Sequence, residues 1–174
     1  MSIWKSLGLA MAGITLAIST ATAQKLPRKV HDVTLIDLYK QSTQLPYFGQ
    51  KHLLIFYVDP EVHKQNEAFT YEIEENHAAD SPDIYGFGII NAKDAPWYPN
   101  GIIRSMARKR TEKNGALVLM DENRILARQW GLGDCDDCFV MLFVTKEGEL
   151  VFMRKGEFSE QDKRDFYKMI EQYK

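Results

Sequence analysis

The chain has 174 residues, of which 26% are charged and 45% hydrophobic, and its formal net charge is −2. This length corresponds to about one domain. Because the charge shows no basic excess of the kind that marks nucleic-acid-binding domains, we predict no nucleic-acid partner.

The first 23 residues have the pattern of a secretion signal. A short segment containing Lys5 precedes an uncharged, largely apolar stretch at 6–20, and Ala21 and Ala23 supply the small residues that signal peptidase recognises. The stretch is shorter than the ~20 apolar residues of a membrane anchor, and no cysteine follows the cleavage site to carry a lipid. We therefore expect a signal peptide at 1–23, a single domain at 24–174, and a periplasmic or secreted protein without a membrane anchor.

Short apolar runs separated by turn residues predict a sheet, and amphipathic segments between them predict helices. Strands are predicted at 33–38 (an edge strand), 53–58, 84–90, 116–120, 125–130, 139–144 and 150–153. Helices are predicted from Asp59, the N-cap, to about His77, over 102–113, and after the capping residue Ser159. The alternation of strands and helices predicts parallel pairing, and the strand pairs that follow predict two hairpins.

The second predicted helix carries a row of basic residues on its outer face. They are Arg104, Arg108, Lys109, Arg110 and Lys113. Such a row can bind phosphate or an acidic partner, or it can simply be solvated, and the sequence leaves both interpretations open.

The order of elements resembles the thioredoxin fold with the insertion found in its peroxiredoxin-like members. Residues 116–132 and 139–156 carry this resemblance. More narrowly, the chain resembles the YtfJ family of exported thioredoxin-fold proteins at 90–96, 130–132 and 155–156. The resemblance implies an α/β fold with a mixed central sheet, helices on both faces and an inserted β-hairpin. It implies no particular biochemical activity.

The sequence departs from redox-active thioredoxin folds in two places. Those proteins carry C-x-x-C at the start of the first long helix, where the helix dipole lowers a thiol pKa. The aligned residues here are Glu61-Val62-His63-Lys64, which contain no sulfur. The cis-proline that normally precedes the later strand is also missing, because the aligned position is about Phe139.

The only two cysteines, Cys135 and Cys138, form a C-D-D-C sequence just before a predicted strand. The resemblance places this loop beside the start of the first long helix, so the cysteines would lie at the usual redox site but on its opposite wall. The residues that we expect around this site are Asp59, Glu61, His63, Lys64, Asp136 and Phe139.

Three roles for the cysteine pair remain open. The spacing lets two sulfurs meet as a redox dithiol, although the flanking Asp134, Asp136 and Asp137 would raise the thiol pKa values. A structural disulfide would pin the loop, with a stabilisation of only about 2 kcal/mol for so short a loop. Soft-metal binding would need further ligands, for which His63, His77 and the same three Asp residues are the candidates.

Two functions therefore compete. The first is thiol–disulfide exchange with other exported proteins through Cys135 and Cys138, which would make the chain at most a thiol–disulfide oxidoreductase. The second is a non-catalytic binding module with a structural disulfide. We expect no cofactor in either case.

Overall fold

The computed structural model describes residues 25–94 and 98–174. The predicted signal peptide lies outside the described residues. No helix within them has the length and apolar character needed to cross a bilayer.

The described residues form one eight-stranded sheet in the order β1-β8-β7-β4-β5-β6-β2-β3. Its strands are β1 (Arg28–Lys29), β2 (Thr34–Asp37), β3 (Ser42–Gln44), β4 (His52–Val58), β5 (Ile84–Asn91), β6 (Val118–Asp121), β7 (Phe139–Val144) and β8 (Glu149–Lys155). The helices are α1 (Glu67–Glu75), α2 (Asn100–Asn114), α3 (Ile125–Gln129) and α4 (Glu160–Ile170), and a 3₁₀ turn at Pro60–Val62 precedes α1. Strands β4, β5 and β6 pair in parallel, whereas β7 and β8 are antiparallel, so the sheet is mixed as predicted.

Strand β4 lies at the centre of the fold because its apolar side chains serve both faces of the sheet. Leu53, Ile55 and Tyr57 point into a core that also contains Leu126 of α3. On the other face, Leu54 joins a core built with aliphatic and aromatic residues of α1 and α4. Helix α2 covers the far end of this second face through Ile103, which packs with Met120 of β6. Helices therefore lie on both faces, which confirms the predicted fold class.

The predicted hairpin at 116–130 is wrong. Residues 118–121 form β6, but 125–129 form helix α3. The Asp121 carboxylate accepts hydrogen bonds from the backbone N–H groups of Ile125 (2.7 Å) and Leu126 (2.9 Å), which satisfies the first turn of the helix. Strand β6 is also already paired on both edges, by β5 and β2, and offers no edge to a returning strand.

Two further element predictions need correction. The 33–38 strand is not at the edge, because Ser42–Gln44, where no strand was predicted, form β3 and pair with β2. The helix predicted from Pro60 is divided, because Asn66 takes a left-handed conformation between the 3₁₀ turn and α1. Asp59 does cap this segment as predicted, since its side chain accepts from the N–H of Glu61.

The C-terminal predictions are confirmed. Strands β7 and β8 form the expected hairpin, and Ser159 caps α4. The Ser159 hydroxyl accepts from the Asp162 N–H (3.2 Å) while the Asp162 carboxylate accepts from the Ser159 N–H (3.0 Å), which is a complete capping box.

Candidate functional site

The cysteines lie on a loop, residues 133–138, between α3 and β7. Side chains from neighbouring strands hold its backbone. Lys155 of β8 donates to the carbonyl of Leu132 (3.0 Å) and to that of Asp134, and Asn91 at the end of β5 donates to the carbonyl of Cys135 (3.1 Å). The loop is thus positioned by non-covalent contacts on two sides.

A third set of contacts joins the loop to the segment that follows β4. The Asp59 carboxylate accepts from the N–H of Asp137 (3.1 Å), and the Asp59 N–H donates to the carbonyl of Cys138 (3.1 Å). The other Asp59 oxygen accepts from the N–H of Glu61 (2.8 Å). Asp59 is fully buried. This juxtaposition of the cysteine loop with the start of the helical segment is the one that the thioredoxin-like arrangement implies.

Four other residues predicted around the site lie elsewhere than at the cysteine loop. Glu61, His63 and Lys64 are exposed, and within the described residues their side chains make no hydrogen bond or ion pair with the cysteine loop. The Nδ1 atom of His63 instead lies 3.0 Å from the Pro60 carbonyl. Phe139 is buried with its ring among the aromatic core, so it is a packing residue and does not line the rim.

Both cysteines are free thiols, and their environments differ. Cys135 is 2% exposed and belongs to the core beside α3, with its Sγ atom 3.6 Å from the Gly133 carbonyl. Cys138 is partly exposed. The pair therefore has one sulfur that solvent reaches and one that it does not.

Burial is the main electrostatic influence on both thiols. It raises the pKa of Cys135 to about 11, with smaller increases from Cys138 and Asp134 and opposing decreases from Lys155 and Arg124. Burial also raises the pKa of Cys138, and Asp134, Asp137 and Asp59 add to the increase while Lys155 opposes it. The aspartates of the loop thus raise the thiol pKa values, as predicted, but desolvation raises them more. At neutral pH both sulfurs are predominantly protonated.

The metal alternative lacks a ligand set in the part of the chain that the structure describes. No group of three or more His, Cys, Asp or Glu side chains there could hold a metal ion. His77, one of the two histidines suggested as ligands, lies beyond the end of α1 and pairs with Asp80.

A cluster of polar residues next to Cys135, all buried except Arg124, escaped the sequence analysis. Asn91 bonds both the Cys135 carbonyl and the Asp94 carboxylate, and Arg124 forms an ion pair with Asp94. Tyr57 donates to Asp121 (3.4 Å), and burial raises the pKa of its phenol far above the usual value. One feature of the sequence could have indicated this cluster. Asn91 and Asp121 are the last residues of β5 and β6, and parallel strands bring their carboxyl ends to the same edge of the sheet.

Comparisons with solved structures identify the fold. A pneumococcal exposed lipoprotein thioredoxin from Streptococcus pneumoniae strain TIGR4 aligns with a TM-score of 0.56 at 16% identity, over 80% of this chain and 99% of its own. A Chlorobium tepidum protein assigned as thiol:disulfide interchange protein DsbE gives a TM-score of 0.60 at 13% identity, over 84% and 96%. A thiol-disulfide oxidoreductase from Bacteroides fragilis gives 0.56 at 10% identity, over 82% and 99%. No protein-family profile and no curated protein sequence matches the chain. The fold is thioredoxin-like.

Proposed function

We propose that the protein is an exported thiol–disulfide oxidoreductase whose dithiol, Cys135 and Cys138, has moved to the loop before β7. The observation that carries this proposal is the asymmetry of the pair: Cys138 is partly exposed and Cys135 is buried. Dithiol exchange uses such a pair, with one sulfur that meets the partner and one that resolves the mixed disulfide. The oxidoreductases among the structural neighbours support a redox role on this fold.

The assignment of roles follows from access. The Cys138 thiolate attacks one sulfur of a partner disulfide, forming a mixed disulfide and releasing the other partner sulfur as a thiolate. The Cys135 thiolate then attacks Cys138, forming the intramolecular disulfide and releasing the second partner thiol. Two electrons pass to the partner, and the two protons of the dithiol end on the partner's thiols. The partner is an exported protein with an accessible disulfide.

The raised thiol pKa values set both the direction and the speed of exchange. A dithiol whose thiolates are disfavoured has a less stable reduced form, and therefore a more negative reduction potential, than one whose thiolates are stabilised. The pair therefore acts as a reductant. Because the thiolate is the attacking species, the same pKa values make attack slow at neutral pH. The protein is therefore proposed to be a slow reductant of selected partners.

The competing function is a binding module in which the cysteines only fix the loop. The non-covalent contacts from Asn91, Lys155 and Asp59 weigh against it, because they position the loop while both thiols are free. The raised pKa of Cys138 weighs in its favour, since it reduces reactivity.

Trapping of mixed disulfides tests the proposal. The Cys135→Ala variant keeps the accessible sulfur and lacks the resolving one, so it is expected to accumulate adducts with disulfide-containing exported proteins. The matched Cys138→Ala variant keeps only the buried sulfur and is expected to accumulate none. Equal trapping by both variants would overturn the assignment of roles. Absence of adducts with Cys135→Ala, in protein shown to be folded, would refute exchange and leave the binding module.

A further inference from the structure

The backbone of each cysteine is held by a residue at the end of a different strand. Asp59 directly follows β4 and Asn91 ends β5, and these two strands pair in parallel. The Asn91 amide donates to the carbonyl of Cys135 (3.1 Å), and the Asp59 N–H donates to the carbonyl of Cys138 (3.1 Å). The two cysteines are therefore fixed separately, each to its own strand.

The Asn91 side chain has one orientation that suits its surroundings. Its NH₂ group donates to the Cys135 carbonyl and to the Asp94 carboxylate, so both amide hydrogens are used. A flipped amide would turn its oxygen toward these two acceptors and lose both hydrogen bonds. Asn91 and Asp94 are buried, so water does not compete for these bonds. The amide is therefore locked, and it fixes the backbone of Cys135.

Arg124 holds the other end of this chain of contacts. Its guanidinium forms an ion pair with Asp94, and its side chain is 47% exposed. Burial is the largest influence on the pKa of Cys135, which it raises, and the charge of Arg124 opposes that increase. The contacts from Arg124 through Asp94 and Asn91 thus lead from a partly exposed cation to the buried cysteine.

We propose that Asn91 is the positioning residue for the step in which Cys135 resolves the mixed disulfide. Asp94 and Arg124 act through Asn91, because they fix its amide. In this step the Cys135 thiolate attacks the Cys138 sulfur, the bond between Cys138 and the partner sulfur breaks, and the partner leaves as a thiolate. Restraining the attacking group near its target raises its effective concentration.

This inference rests on the proposed redox function and separates its two steps. The first attack uses the sulfur of Cys138, whose backbone is held by Asp59. The second attack uses the sulfur of Cys135, whose backbone is held by Asn91. Loss of the Asn91 contact is therefore expected to slow the second step and spare the first. A residue that only stabilised the fold would affect both steps together or neither.

Reaction of the reduced mature protein with one equivalent of the aromatic disulfide DTNB follows the two steps separately. The Cys138 thiolate attacks the reagent, which forms a mixed disulfide and releases one thionitrobenzoate. The Cys135 thiolate then attacks Cys138, which forms the intramolecular disulfide and releases the second thionitrobenzoate. Two electrons pass from the dithiol to the reagent. The second release is intramolecular, so its rate constant is independent of protein concentration.

Two variants perturb the chain of contacts at different points. Asn91→Ala is expected to slow the second release at least about tenfold while changing the first less than about twofold. Arg124→Gln is expected to slow the second release about threefold, because Asp94 loses its partner and Cys135 loses a nearby cation. Since Arg124 is half-exposed, this second variant tests the proposal even if Asn91→Ala fails to fold.

The matched controls are Asn123→Ala and Arg128→Gln, both at exposed positions nearby in the chain, and each is expected to change either release less than about twofold. Equal slowing of both releases in folded Asn91→Ala, or a second release in Arg124→Gln as fast as in the controls, overturns the proposal and leaves the redox function standing. Release of a single thionitrobenzoate by the unmodified protein refutes the redox function itself and the role of Asn91 with it.

Discussion

Replacing Asp59 with Asn probes the contact that joins the cysteine loop to the rest of the site. The carboxylate accepts two backbone hydrogen bonds, from Glu61 (2.8 Å) and from Asp137 (3.1 Å), at a fully buried position. An Asn side chain has one acceptor oxygen, and its NH₂ group cannot accept, so one of the two N–H groups loses its partner. Asn is as good an N-cap as Asp, so we expect the Glu61 bond to survive and the Asp137 bond to be lost.

The magnitude follows from these two bonds. A hydrogen bond to a charged group is worth about 1.5–3 kcal/mol. Part of this loss is offset, because burial raises the pKa of Asp59 and the ionised carboxylate is therefore itself disfavoured. We expect Asp59→Asn to lower the free energy of unfolding by about 1–2 kcal/mol, and Asp59→Ala, which also removes the cap, by about 2–4 kcal/mol.

Urea denaturation of the reduced protein, followed by fluorescence, measures these changes. Asp136→Asn is the control, because it removes an exposed charge from the same loop and is expected to change stability by less than about 0.5 kcal/mol. Since the charge of Asp59 raises the pKa of Cys138, Asp59→Asn should also speed alkylation of Cys138 at fixed pH. If Asp59→Asn is as stable as Asp136→Asn, or as unstable as Asp59→Ala, the two-bond account of this position is wrong.

Three other predictions concern reactivity, capping and pH. In the native protein, iodoacetamide should label Cys138 and spare the buried Cys135, as read by mass spectrometry; equal labelling would contradict the asymmetry of the pair. Ser159→Ala removes one half of the capping box and should lower the free energy of unfolding by about 1 kcal/mol, measured in urea, whereas a neutral result would refute the role of the cap. His52 is buried, and desolvation lowers its pKa below 6.5, so its contribution to stability is present above pH 6.5 and is lost as the pH falls. Stability should therefore rise with pH through this region, and His52→Gln, but not the exposed His63→Gln, should flatten the rise.

The sequence predicted those parts of the fold whose patterns have one structural interpretation. The six apolar residues at 53–58 include β-branched and aromatic residues, which favour a buried strand, and the Ser159 capping signal defined the start of α4. The segment at 125–130 was ambiguous, because a short apolar run fits a strand or a helix equally well. Its conformation depends on the Asp121 carboxylate and on the pairing of β6 with β2, which are contacts that no local pattern encodes.

The candidate site was predictable in position but not in detail. The resemblance to the thioredoxin fold placed the cysteine loop beside Asp59, because that relation is fixed by topology. The burial of Cys135 and the link from Asn91 to its carbonyl depend on how the loop folds onto the core. The burial of Arg104 was likewise not predictable from local pattern. Its position on a basic helix face indicated exposure to solvent, whereas tertiary packing buries it against Glu122.

The reduction potential of the Cys135–Cys138 pair, obtained by equilibrating the mature domain with glutathione buffers, tests the central claim most directly. Because raised thiol pKa values make a dithiol at least as reducing as thioredoxin, we expect a potential between about −270 mV, that of thioredoxin, and about −300 mV. A potential below about −300 mV, typical of structural disulfides, would contradict thiol–disulfide exchange as the function of this protein.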